Sequence, residues 1–160
     1  MQGVALRGLE AGDVDWLTRT HGRLYARDEG FDESFEVLVG QVLARFVAGH
    51  DPARERGFIA RRDGKRLGSI LCAREDDVTA RLRLFLLLPE ARGQGLGRWM
   101  LGECQNFARQ AGYLRMVLST HRSHAAACAL YASTGWQLLD SRPVTSFGVA
   151  LEEMRWQIDL

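Results

Sequence analysis

The chain has 160 residues and a mass of 17.9 kDa, enough for one domain around a single core. Hydrophobic residues make up 46% and charged residues 26%, which argues against both a disordered chain and a helical membrane protein. A net charge of +1, spread over scattered arginines, gives no broad basic field for nucleic acid.

Val4 to Arg7 reads as a first strand, and Asp13 as the N-cap of a helix carrying Val14, Leu17 and Leu24. After Asp32, Phe35, Leu38, Val39, Val42, Leu43 and Phe46 recur at helical spacing, and His50, Asp51 and Pro52 close that helix. Gly57–Arg61 and Arg66–Arg74 flank Asp63-Gly64, the strongest short-range signal for a hairpin, with Arg61, Arg62, Lys65 and Arg66 as its solvated tip. Glu75 to Asp77 make the next turn. Thr79 to Leu88 alternates, with Leu82, Leu84, Leu86 and Leu88 predicted on one face.

Past a glycine-rich loop, a helix through Trp99, Met100, Cys104, Phe107 and Ala108 ends at Gly112. Leu114–Ser119 is the next strand, Ala125–Ser133 the next helix, and Trp136–Leu139 and Met154–Leu160 the closing strands. Hairpins followed by alternating strands and helices predict an α/β or α+β fold around one sheet. The longest clearly apolar run, Leu84–Leu88, cannot span a bilayer. The start of the chain carries no export signal, so the protein is expected in the cytoplasm. Three scattered cysteines without a CxxC pair, and a histidine pair without companion ligands, predict no disulfide framework and no metal.

The loop between Pro89 and Met100, PEARGQGLGRWM, has glycines at 93, 95 and 97 between a strand and a helix. Glycines there let backbone N–H groups approach an anion at the helix N-terminus, although a plain tight turn uses them too. A P-loop needs Lys and Ser or Thr after the last glycine, where Arg98 and Trp99 stand. A dinucleotide fingerprint begun at Gly93 needs glycine at the position of Arg98.

The loop does match R-x-x-G-x-G through Arg92, Gly95 and Gly97, and a later segment reads ACALYASTGW. In both the chain resembles the GNAT superfamily of acyl-CoA-dependent N-acyltransferases. HGRLYARDEGF, HDPARERGFIA and the ending WQIDL resemble more narrowly the acetyltransferase half of bacterial fusions between a MarR-type regulator and a GNAT domain. The winged-helix half of those fusions has no counterpart in the chain, so direct nucleic-acid binding is not implied.

The resemblance implies one acetyltransferase domain over residues 1–160, with a mixed, mostly antiparallel sheet of about six to seven strands and helices on both faces. It implies acetyl-CoA as cosubstrate, no metal, an amine acceptor that is a small molecule or a protein, and compatibility with a homodimer. The coenzyme diphosphate falls to Arg92, Gly93, Gln94, Gly95, Leu96, Gly97 and Arg98, and the pantetheine arm to the backbone of Leu86 and Leu87. His124 stands where asparagine is more common, Ala127 where a small residue is usual, and Tyr131 where the general acid stands. An ordinary packing role for Tyr131 stays open, as does a phosphate contact for Arg122.

The base is unassigned among Asp28, Glu29, Glu36, Glu75, Asp76 and Asp77, because Leu88 occupies the position where many relatives carry an acid. For the acceptor, Asp28 and Glu29 favour a cation whereas Arg23 and Arg27 favour an anion, so the charges cancel. A non-catalytic acyl-CoA-binding regulatory module is the alternative function, and a nucleotide-binding protein a third.

Overall fold

The computed structural model describes residues 2–160, which form a mixed α/β fold of seven strands and four helices. They group into two compact units, one comprising the residues up to Glu10, Asp51–Met116 and Asp159–Leu160, the other Ala11–His50 and Val117–Ile158.

The first unit holds β1 (Val4–Gly8), β2 (Arg56–Arg62), β3 (Lys65–Arg74), β4 (Thr79–Leu87) and α3 (Leu96–Gln110). Its strands run in spatial order β1-β2-β3-β4, each antiparallel to its neighbour. The β2–β3 turn is the predicted Asp-Gly turn, with both central residues left-handed, Asp63 at φ 49° and Gly64 at φ 78°. Asp76 builds the β3–β4 turn by accepting from the Val78 and Thr79 N–H groups at 2.9 and 2.8 Å, which holds its carboxyl below the usual range. Helix α3 covers the sheet with an apolar face, burying Leu96, Met100, Leu101, Cys104 and Ala108 against β2, β3 and β4.

The expected alternation along β4 breaks in the middle. Cys72 lies opposite Leu82 and Leu71 opposite Arg83, but Ser69 lies opposite Leu86, so Leu84 and Phe85 together face Ile70. This β-bulge puts Leu84 at φ 47° and moves Leu86 to the face of Arg83, not that of Leu82. The buried Ser69 hydroxyl donates to the Leu84 carbonyl at 2.7 Å, supplying a partner where the ladder is interrupted.

The second unit contains α1 (Ala11–Glu29), α2 (Glu33–Ala48), α4 (Ala125–Ser133), β6 (Gln137–Ser146), β7 (Val149–Asp159) and most of β5 (Arg115–His121). Its strand order is β5-β7-β6, with β6 and β7 an antiparallel hairpin. Both closing strands are much longer than predicted. The segment SRPVTSFG supplies the end of β6 and the turn at Phe147-Gly148. Asp13 is not the cap of α1: the helix starts two residues earlier, and Asp13 lies fully buried in its first turn, where a carboxylate favours the helix dipole. Asp32 does cap α2, accepting from the Ser34 N–H at 2.9 Å. Among the described residues, no helix is long and apolar enough to cross a membrane.

Candidate active site

In the first unit, the loop after β4 is built by short-range bonds. The Leu88 N–H donates to Leu67 at 2.8 Å, a 3-10 turn spans Pro89–Ala91, and Arg92 Nε reaches back to the Leu87 carbonyl at 3.1 Å. Gln94 Nε2 donates to the Glu90 carbonyl at 2.9 Å. Gly93 and Gly95 have φ of 72° and 80°, left-handed values that explain glycine at both positions. Gly97 has no such value and sits in the first turn of α3.

The first bond into α3 runs from the Trp99 N–H to the Gly95 carbonyl at 3.1 Å. Ahead of it, the N–H groups of Gly93, Gln94, Gly95, Leu96 and Gly97 donate to no acceptor among the described residues. A row of orphan donors at a helix N-terminus, where the dipole places about half a positive charge, suits a multiply charged anion. Leu86 is buried and Leu87 half-buried at the end of the bulged strand.

In the second unit, His124 precedes α4, and its carbonyl accepts from the Cys128 N–H at 3.0 Å. Its Nδ1 lies 3.2 Å from Thr120 Oγ1, and its Nε2 lies 3.4 Å from Glu29 Oε1. Ala127 is half-buried one turn before Tyr131. Tyr131 is 3% exposed, its ring 5.5 Å from that of Trp136 and 6.1 Å from that of Trp156. The Tyr131 carbonyl accepts from the N–H groups of Thr134 and Trp136, and Gly135 turns between them at φ 92°. Arg122 is committed to Glu152 at 2.7 Å.

Sequence reasoning left unassigned a ring cluster in this unit. The rings of Tyr25, Phe31, Phe35, His121, His124 and Phe147 meet in a chain of tilted and edge-on contacts with centroids between 4.6 and 6.5 Å apart. The aromatic density of HGRLYARDEGFDESF was its sequence signal. Burial lowers the pKa of both His121 and His124, outweighing the upward pull of Glu29 on each and of Glu153 on His121. Among the described residues, no group of three or more His, Cys, Asp or Glu side chains could hold a metal ion.

Comparison with known proteins bears on this geometry. The model of the acetyltransferase (GNAT) family matches residues 15–136. Among solved structures, yncA of Salmonella typhimurium, determined with its cofactor acetyl-CoA, superposes with a TM-score of 0.76 at 20% identity, covering 99% of this chain and 95% of its own. Spermidine N-acetyltransferase of Vibrio cholerae, in complex with CoA and spermine, gives 0.75 at 20% identity over 99% and 96%. Ribosomal-protein-alanine N-acetyltransferase of Brucella melitensis gives 0.75 at 19% over 98% and 99%. At such identities the likeness is one of fold. No curated protein matches the chain.

Proposed function

Because the chain belongs to the GNAT acetyltransferase family, we propose that it transfers an acetyl group from acetyl-CoA directly to the amine of a small-molecule or protein acceptor, without a covalent enzyme intermediate. The observation that carries this reading is the row of five unengaged N–H groups from Gly93 to Gly97 at the start of α3. In the proposal they grip the coenzyme diphosphate, with Arg92 and Arg98 adding charge. Solved structures of the same fold that hold acetyl-CoA or CoA support the choice of anion.

Acetyl-CoA supplies the activated acyl group when bound. The backbone of Leu86 and Leu87 aligns the pantetheine arm, and the start of α4 at His124 and Ala127 adds a main-chain contact and a small side chain. Tyr131 gives its phenolic proton to the departing thiolate. A phenol with an ordinary pKa of about 10 is protonated at neutral pH, and a thiol titrating near 8.5 leaves more readily once protonated. The ring packs against Trp136 and Trp156.

Residues 1–160 form a single acetyltransferase domain in this reading, working in the cytoplasm with no direct nucleic-acid contact. The likeness to the acetyltransferase half of MarR–GNAT fusions belongs to the same proposal, as does a homodimer, which light scattering would detect.

Calorimetry with acetyl-CoA, followed by coenzyme release across a panel of amines, tests the function. Saturable binding with amine-dependent release is expected. Absence of binding at millimolar coenzyme overturns the proposal, and stabilisation by ATP or NAD in its place would favour a nucleotide-binding protein. The presence of Leu88 where many relatives carry an acid favours the non-catalytic sensor as second reading. That reading predicts binding without release for every amine.

A further inference from the structure

Glu29, the last residue of α1, is turned away from solvent: its side chain is 14% exposed, against 36% for the neighbouring Asp28. Asp28 pairs with Arg27 at 2.8 Å on the exposed side, so those two opposite charges neutralise each other. Glu29 has no such partner. Among the described residues its only ion-pair contact is His124 Nε2, at 3.4 Å and poorly aligned for a hydrogen bond. A carboxylate withdrawn from water without a cation is costly, and the opposing imidazole is kept neutral near pH 7 by its burial. Arg23, the remaining charge of the four that cancel in the sequence, is exposed to solvent, so the charge turned toward the rings is negative.

Two further features point the same way. His121 Nδ1 and His124 Nε2 are buried without a hydrogen-bond partner, a state that native proteins rarely leave unrelieved. Around them stand the rings of Tyr25, Phe31 and Phe147, with Tyr25 5.0 Å from His124 and Phe31 5.9 Å from His121. Phe147 occupies the left-handed region at φ 55°, a strained backbone for a bulky residue, and its ring packs 4.9 Å from Phe31. Other charges near this cluster are acidic as well: Glu153 on β7, met by Arg142 at 3.3 Å, and Asp32, whose carboxylate lies beside Gly148.

Resting on the acyl-transfer reading, we infer that Glu29 and His124, with the rings of Tyr25, Phe31 and Phe147, receive the amino end of the acceptor, and that the acceptor is an arylalkylamine. Its ammonium supplies the cation that Glu29 lacks, with cation–π contact to the rings, and its apolar body lies among them. A free carboxylate next to the amine would meet Glu29 and be rejected.

The test reads the imidazole C2–H resonances of His121 and His124 by NMR during titration with 2-phenylethylamine, 2-phenylethanol and phenylalanine, with and without coenzyme A. The amine should shift both resonances saturably and bind about tenfold more tightly than the alcohol or the amino acid, the scale of one charge-assisted hydrogen bond. Glu29→Gln should abolish the preference for amine over alcohol, and Glu29→Asp should keep it, with thermal melting confirming that each variant folds. Equal affinity for amine and alcohol, no shift at tens of millimolar with or without coenzyme, or an unchanged preference in Glu29→Gln overturns the inference. None of these readouts passes through turnover. Failure of coenzyme binding in calorimetry counts against the acyl-transfer reading alone, whereas the amine preference stands or falls on the resonances.

Discussion

Gly68 on β3 lies so close to Leu86 on β4 that a Cβ at position 68 would sit far inside van der Waals contact with the Leu86 carbonyl oxygen and 2.8 Å from Leu87 Cδ2. The bulge at Leu84 and Phe85 resumes pairing at this point, so the backbone has little room to retreat. Gly68→Ala should destabilise the protein by about 1–3 kcal/mol, as overpacking does. Thermal melting should show a fall of about 2–12 °C; an unchanged midpoint would mean that the strands separate freely here.

The three loop glycines should separate by role. Gly95→Ala places a side chain at φ 80° and should cost about 1–2 kcal/mol of stability as well as weakening acetyl-CoA binding. Gly97→Ala meets no left-handed requirement and should leave the melting temperature unchanged or slightly higher. If the exposed amides hold the diphosphate, the methyl group added at position 97 should still raise the coenzyme Kd in calorimetry. Equal Kd values for wild type and Gly97→Ala would remove the need for close backbone approach at that position.

Tyr131→Phe keeps the ring between Trp136 and Trp156 and deletes only the hydroxyl. Its kcat should fall about 10²-fold or more, with coenzyme affinity and melting temperature retained. The wild-type rate should also decline as pH rises toward the phenol's own pKa, and the variant should lack that limb. A variant as fast as wild type at every pH would leave Tyr131 as a packing residue.

Stability should depend on acid through His21. This fully buried imidazole uses Nδ1 to reach the Leu17 carbonyl at 2.7 Å, and burial lowers its pKa to about 4. The folded state keeps it neutral while the unfolded chain takes up a proton below about 6.5, so its contribution is fully present above that pH and is lost as pH falls toward 4. A shift of this size corresponds to about 3 kcal/mol. Urea unfolding at pH 7 and pH 4 should show that loss, and a His21→Leu variant should show a smaller one. His121 and His124, also lowered by burial, add to the trend in the same direction.

Local signals made much of the architecture legible. The Asp63-Gly64 turn, the α2 stripe from Phe35 to Phe46 and the span of α4 all depend on neighbouring residues alone. The bulge in β4 did not show, because a run of leucines alternates equally well in either register. The full length of β6 is hidden in the sequence because Gln137–Ser146 is largely exposed and carries Pro143, a residue suited to an edge strand and misleading in isolation. At the candidate site, the glycine loop was plain. The direction of Glu29 was not, since adjacent Asp28 and Glu29 carry the same charge and differ in which way the end of α1 turns them.

The Asp32 N–H donates to the Phe147 carbonyl at 2.9 Å, and a Cβ on Gly148 would come within 2.9 Å of the Asp32 carboxylate. The hairpin tip is thereby fastened to the entry of α2. An engineer seeking a place for a fluorescent label or an inserted epitope would find an inviting short turn at positions 147 and 148, yet any graft there would tug on the helix that begins at residue 33.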